Sequence, residues 1–392
     1  MDADDQTDRP GGPGARSTMA RRTLLKSAAA SVAAPALSLG SHQVFAQSTR
    51  KYSTRTVDLM RRAIVIDMLS PVVVAGDPVP IFSKPISDTL KADYRRSGLT
   101  AISNSVGFLG PNQKVQVLQY MLAWSGFAAR NSDVFQLVGQ AADIDKAKRE
   151  GKVAMIMGIQ NADHFETPDD VREFYQFGQR IGQLTYNAQN LLGAGSTERV
   201  DGGLSDFGAA IVAAMNDVGM LVDVSHCGDK TTLDAIAASS KAIAITHGNV
   251  RAINNHPRCK TDEAIRACAA KGGVMGITNL RMFVRDRDPT TIDHVVDHIA
   301  YVAKLVGVEH VGIGSDQHLY GYDNLPPEIV KAMQASFKSS YGFREKLDSD
   351  DTSHPQRNFD LTEALIRRGF SDQDILGILG GNFRRLLGAT WL

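Results

Sequence analysis

Two histidines, His226 and His247, each follow a short apolar run of the kind that forms a buried strand, Leu221-Val-Asp-Val-Ser225 before the first and Ala242-Ile-Ala-Ile-Thr246 before the second. Side chains at the carboxyl ends of parallel strands converge on one mouth of a β/α barrel, so two imidazoles delivered there can share one metal ion. Residues in the same relation to other apolar runs are Gln160, Tyr186 and Asp316. Two imidazoles and a carboxylate suit zinc, which leaves a position for water in catalytic sites and makes that water a nucleophile near neutral pH. Hydrolysis is the reaction class these residue types favour.

The elements that must position them are legible. Short β-branched runs at 64–66, 100–103, 153–159, 181–185, 221–224, 242–246, 273–277 and 310–314 read as eight strands. They alternate with amphipathic patterns at 115–129, 168–180, 207–218, 229–239, 261–271 and 291–305, which read as helices. Continuous apolar strands separated by helices predict a parallel sheet covered on both faces, and eight units predict its closure into a (β/α)8 TIM-type barrel of the α/β class. Residues 320–359, rich in Ser, Asp, Pro and Tyr, read as a loop excursion or lid after the last strand. Helices then resume over 361–368 and from a capping start at Ser371.

At 392 residues, 43% hydrophobic, the chain can bury a large core, and 43 basic side chains balance 43 acidic ones. That balance gives no sign of a nucleic-acid partner. Cys227, Cys259 and Cys268 leave one thiol over in any pairing and form no Cys-x-x-Cys clip. Cys227 follows His226 directly and is expected to face the opposite side of its strand, into packing.

Residues 1–18 lack periodicity, and Met19 offers a second start. Ala20-Arg21-Arg22-Thr23-Leu24-Leu25-Lys26 resembles a twin-arginine export signal, followed by an apolar stretch over 28–39 and small residues near Ala46 suited to cleavage. The stretch is shorter than the roughly 20 residues that span a bilayer, so export to the periplasm is expected rather than a membrane anchor. The expected organisation is a lead and signal over 1–47 and one barrel domain over 48–392.

Several segments together resemble the membrane (renal-type) dipeptidases, the M19 metallopeptidases. The densest are Gly219-Met-Leu-Val-Asp-Val-Ser-His226, Thr246-His247-Gly-Asn-Val-Arg251, His256-Pro257-Arg258 and Lys271-Gly-Gly-Val. Further matches are Leu184-Thr185-Tyr186-Asn187, Asp201-Gly202-Gly203-Leu204, His310-Val-Gly-Ile-Gly-Ser-Asp316 and Gly380-Gly381-Asn382-Phe383. The resemblance implies a β/α barrel with a two-zinc site that hydrolyses dipeptides, in a chain that can form a homodimer. It implies that His226 and His247 bind one metal, that Asp316 binds the other and handles protons, and that Arg258 grips the substrate carboxylate.

Three positions depart from that pattern. Leu69-Ser70-Pro71 stands where the family carries His-x-Asp, Gln160 where it carries a bridging Glu, and Tyr186 where it carries a carbonyl-polarising His. A neutral amide cannot bridge two dications as a carboxylate does, so one zinc is expected, held by His226 and His247 with Asp316 or Gln160. The leading expectation is a metal-dependent dipeptidase acting on a small peptide-like substrate. The alternatives are a non-hydrolytic binding or maturation module and a single-metal amide or lactone hydrolase.

Plainer readings stand beside these. Asp316 can cap the segment after it, Arg258 can anchor its own loop to a helix carboxyl end, and Tyr186 is expected to pack with its hydroxyl bonded locally. Asp163, His164 and His318 lie near strand ends as substitute ligands. His294 and His298, beside Asp293 and Asp297, are expected on a solvated helix face, and Arg281 to Arg287 in a solvated loop.

Overall fold

The computed structural model describes residues 51–73 and 85–391. The twin-arginine segment lies outside them. Among the described residues ten strands form: β1 (Ile66–Asp67), β2 (Ala101–Val106), β3 (Phe135–Leu137), β4 (Val153–Ile159), β5 (Gln179–Gln183), β6 (Leu221–Asp223), β7 (Ala244–Val250), β8 (Cys259–Lys260), β9 (Val274–Ile277) and β10 (Val311–Ile313). They pair in the order β2-β1-β10-β9-β7-β6-β5-β4, and β2 pairs β4 to close an eight-stranded barrel. Every ladder in it is parallel. All eight predicted strands are present.

Two strands were not predicted. β3 runs beside the first half of β4, pairing Phe135 with Val153, while β5 takes the second half. β8 adds two residues to the far end of β7, pairing Asn249 with Cys259. Both are too short to show a periodicity of their own.

The alternation along β4 explains its unbroken apolar run. Val153, Met155, Met157 and Ile159 pack outward against the helices. Ala154 and Ile156 point inward and share a cluster with Ile66, Ala101, Ile181, Leu221, Ala244 and Val274 from the other strands. The C-terminal helix Asn382–Thr390 plugs this end of the barrel, contributing Phe383, Leu386 and Leu387, with Trp391 just beyond. The opposite ends of the strands carry polar residues. A floor sealed by apolar side chains and a polar mouth is how this architecture separates stability from function.

The helices begin and end on readable signals. Helix Asp206–Val218 starts where Ser205 accepts from the Gly208 N–H and ends at Gly219 with φ 81°. Helix Asp262–Ala270 starts on the Thr261 hydroxyl in the same way. The excursion after β10 is partly helical, with a helix at Pro327–Ala335 and single turns at Tyr322–Asn324 and Ser339–Tyr341. Among the described residues no helix is long and apolar enough to cross a membrane.

Two surface expectations are corrected. His298 is fully buried, accepting from the Val250 N–H at Nδ1 and donating to the Val284 carbonyl from Nε2. It shares one face of helix Ile292–Val306 with Val295, Ile299 and Val302, and that apolar stripe is the signal that outweighs its acidic neighbours. Arg281–Val284 is a buried helical turn and not a solvated loop, and Arg281 pairs with Asp288 and Asp350.

Candidate active site

β7 does not stop before His247 but runs through it to Val250. Its register against β9 slips between Ile245 and Gly248, so Thr246 and His247 sit in a bulge. Bulges re-aim side chains, and this one turns the His247 ring toward the end of β6. Room for it comes from glycine: a Cβ on Gly314 would lie 2.0 Å from the Thr246 carbonyl oxygen, and one on Gly276 would lie 2.1 Å from the same atom.

The two imidazoles meet. His226 Nε2 and His247 Nε2 are 2.8 Å apart, with the ring planes inclined at 60°. His226 Nδ1 lies 2.7 Å from Asn187 Oδ1, and with the Asn187 amide in this orientation Nδ1 carries the proton. His247 Nδ1 lies 2.8 Å from Thr246 Oγ1, which donates its own proton to Asp223 Oδ2 and so accepts from the ring. Burial, followed by the Arg258 and Lys260 charges, holds both imidazoles well below the ordinary histidine pKa, so both are neutral. Two neutral rings, each protonated at Nδ1, present two Nε2 lone pairs to one point. Such a pair repels unless a cation lies between.

Asp223 organises this corner. It accepts from the Ser225 and Thr246 backbone N–H groups and from both of their hydroxyls. Asp67 does the same across β1 and β10, accepting from the Leu69 and Ser315 N–H groups and from the Ser315 hydroxyl.

The other expected residues are placed as follows. Asp316 is half-buried with φ 57°, and no described residue donates to its carboxylate, so it caps nothing. Burial pushes its pKa up to about 7, against the pull of Arg258 and with a smaller push from Asp67. Gln160 is buried and donates to the Ser105 carbonyl through Nε2. Tyr186 stacks on His226, rings 4.3 Å apart and 18° from parallel. Packing is as expected for it, but no described residue hydrogen-bonds its hydroxyl.

Arg258 is 1% exposed and anchors to a strand end, donating from Nη1 to the Ser225 carbonyl rather than to a helix. Its Nε and Nη2 are buried without a well-formed hydrogen bond, although the Tyr341 hydroxyl lies close enough to feel the guanidinium. Phe283 lies under the guanidinium at 5.3 Å.

The substitute ligands do not assemble. Asp163 accepts from Gln113, and His164 is fixed between the Asn161 carbonyl and Gln179. His318 is buried with Nε2 unpartnered, beside Tyr322. Among the described residues no group of three or more His, Cys, Asp or Glu gathers as a metal site, so Asp316 does not join the histidine pair as placed. At the family's His-x-Asp positions, Leu69 is core and Ser70 donates to the Gln317 carbonyl. Cys227 is buried in the outer core, and all three thiols are free.

Sequence reasoning missed the residues that surround these. Asn187 and Thr246 fix the two tautomers, and Phe337 and Tyr341 of the excursion close the mouth, stacked 4.6 Å apart with Phe337 beside Tyr186. Asn187 and Thr246 lie inside the quoted motifs and were readable as partners. The aromatics carried no spacing signal.

The sequence model of the membrane dipeptidases (peptidase family M19) matches residues 86–333. The chain belongs to peptidase family M19. Dipeptidase verJ of Clonostachys rogersoniana is 31% identical over 262 residues, 66% of this chain and 61% of that protein. This chain therefore spans less than two thirds of that relative's length. The crystal structure of an amidohydrolase from Pseudomonas aeruginosa superposes with a TM-score of 0.73 at 33% identity, covering 86% of this chain and 99% of that one. The probable dipeptidase PvdM from the same organism shares the fold at 20% identity, with a TM-score of 0.69 over 86% of this chain and 97% of its own. The family assignment and the barrel fold therefore stand together on the sequence model and on this structural likeness.

Proposed function

We propose that the protein is an exported M19 dipeptidase working with a single zinc ion. The observation that carries this reading is the pair of converging Nε2 lone pairs, each fixed by a donated Nδ1 proton. The donor set suits one ion better than two, because Leu69, Pro71 and Gln160 supply none of the imidazole and carboxylate ligands that the family pattern implies at those positions. His226 and His247 would hold it, with Gln160 or Asp316 and water completing the shell. Such an ion supplies polarisation of a carbonyl and a water that loses its proton near neutral pH.

The chain's own groups do the rest. Arg258 offers Nε and Nη2 to a substrate carboxylate in a buried, fork-shaped geometry. With Gln160 and water completing that shell, the Asp316 carboxylate is left free to take up a proton and return it to a leaving amine. Tyr186, Phe337 and Tyr341 wall the mouth and exclude water from a small substrate. The test is a panel of dipeptides with the purified protein before and after chelation. Hydrolysis that chelator removes and zinc restores is the expected result; no turnover of any dipeptide with zinc present would overturn the reading.

A second reading, a binding module without hydrolysis, is favoured by one observation, the lack of a third His, Cys, Asp or Glu beside the histidine pair among the described residues. Zinc-independent, saturable binding of a dipeptide without turnover would select it.

A further inference from the structure

Asp316 is one of four non-glycine residues described with a left-handed backbone, a conformation that persists only where its surroundings enforce it. Its N–H donates to the Leu69 carbonyl at 2.9 Å. On one side, Ser315 is fixed by Asp67 through both its N–H and its hydroxyl. On the other, the carbonyls of Gln317, His318 and Leu319 all accept from one side chain, Arg357, at 3.0 Å each. Nη2 of that guanidinium also faces Asp67 at 3.6 Å and the Ser70 and Ser315 hydroxyls at 3.4 Å. Arg357 is 2% exposed and opens helix Arg357–Arg367.

We propose that Arg357 is the positioning residue of this active site: its guanidinium, paired with Asp67, holds the 315–319 loop so that Asp316 faces the mouth, and ties both ends of the aromatic excursion to that loop. The excursion leaves the barrel at Leu319 and returns at Arg357 itself. One buried cation therefore fixes where the carboxylate points and where the Phe337–Tyr341 wall is rooted. A lysine keeps the charge but not the planar fork that reaches three carbonyls and a carboxylate together. The role in turnover rests on the dipeptidase reading; the mechanical role does not.

The experiment compares hydrogen exchange and dipeptide kinetics in the full chain for wild type, R357K, R357M and, as a contrast, R281M. Arg281 braces the far end of the excursion through the Asp348 carbonyl and Asp350 and does not touch 315–319. In R357K, exchange over 315–321 is expected to rise about tenfold while the strands β4 to β7 keep their protection. R357M shows the same pattern more strongly if it folds, and R281M leaves 315–321 protected. With hydrolysis established, kcat in R357K falls by up to about a hundredfold with KM little changed, as for a misplaced catalytic group. Unchanged protection of 315–321 in R357K, or protection lost evenly across the barrel, overturns the proposal. Failure of the dipeptidase reading alone removes the kinetic arm and leaves the exchange pattern to decide.

Discussion

At the scale of single residues, Arg258 and Asp316 make opposed use of burial. Arg258 is desolvated with two donors lacking a well-formed hydrogen bond, so it gains from an anion; Asp316 is desolvated without a donor, so it resists being one. R258A is expected to raise KM for dipeptides by about ten- to a hundredfold, the range of a lost charge-assisted pair, and to affect C-terminally amidated dipeptides much less. Steady-state kinetics on matched acid and amide substrates checks it. For Asp316, the folded pKa of about 7 lies above the ordinary 3.8, so the folded state binds the proton more tightly than the unfolded one. Its contribution to stability is complete below about pH 4 and is lost as pH rises through 7. D316N in the metal-free protein is expected to gain on wild type steadily across that window, measured as denaturation midpoint against pH. His226, His247, Asp316 and Arg258 were readable because each follows a strand or lies in a dense motif. The poorly bonded donors of Arg258 and the facing lone pairs were not, because they depend on what is absent around an atom.

At the scale of elements, the meeting of His226 and His247 depends on a bulge and two glycines. G314A places a Cβ on the Thr246 carbonyl and presses toward His247, so β7 must shift. The expectation is a folded but less stable protein, lower in denaturation midpoint, with zinc affinity reduced about ten- to a hundredfold, as when an outer partner of a ligand is lost. Zinc titration of the purified variant against wild type checks this. The eight strands were legible because parallel strands buried on both faces read as continuous β-branched runs. β7 was read as ending at Thr246 because His247-Gly248-Asn249 is polar, and polarity at a strand end marks a site as often as a stop. His298 was misread from its acidic neighbours, although its spacing from Val295 and Val302 placed it on the apolar face. The excursion was recognised as a lid-like insertion by composition, but its helix and its aromatic contacts are set by what it packs on.

At the scale of the whole molecule, one barrel carries both the stability and the site, with the C-terminal helix sealing the floor and the excursion covering the mouth. Export is proposed from the N-terminal segment alone; replacing Arg21 and Arg22 by lysine is expected to leave the protein in the cytoplasm of a host with twin-arginine transport, as cell fractionation would show. The M19 frame was visible in the sequence because many short motifs keep their order. The proposal of one metal ion rather than two rests on Leu69, Pro71 and Gln160 and is put to the test below. What the fold adds is that His226 and His247 point their free nitrogens at one place 2.8 Å across. The most direct test is the zinc content of the protein, purified without chelator or added metal, beside that of the H226A/H247A double variant. About one zinc per chain in the wild type and none in a folded double variant is the expected result, one ion being what a single convergent imidazole pair can hold. Zinc retained by the double variant, or two ions in the wild type, would contradict the account.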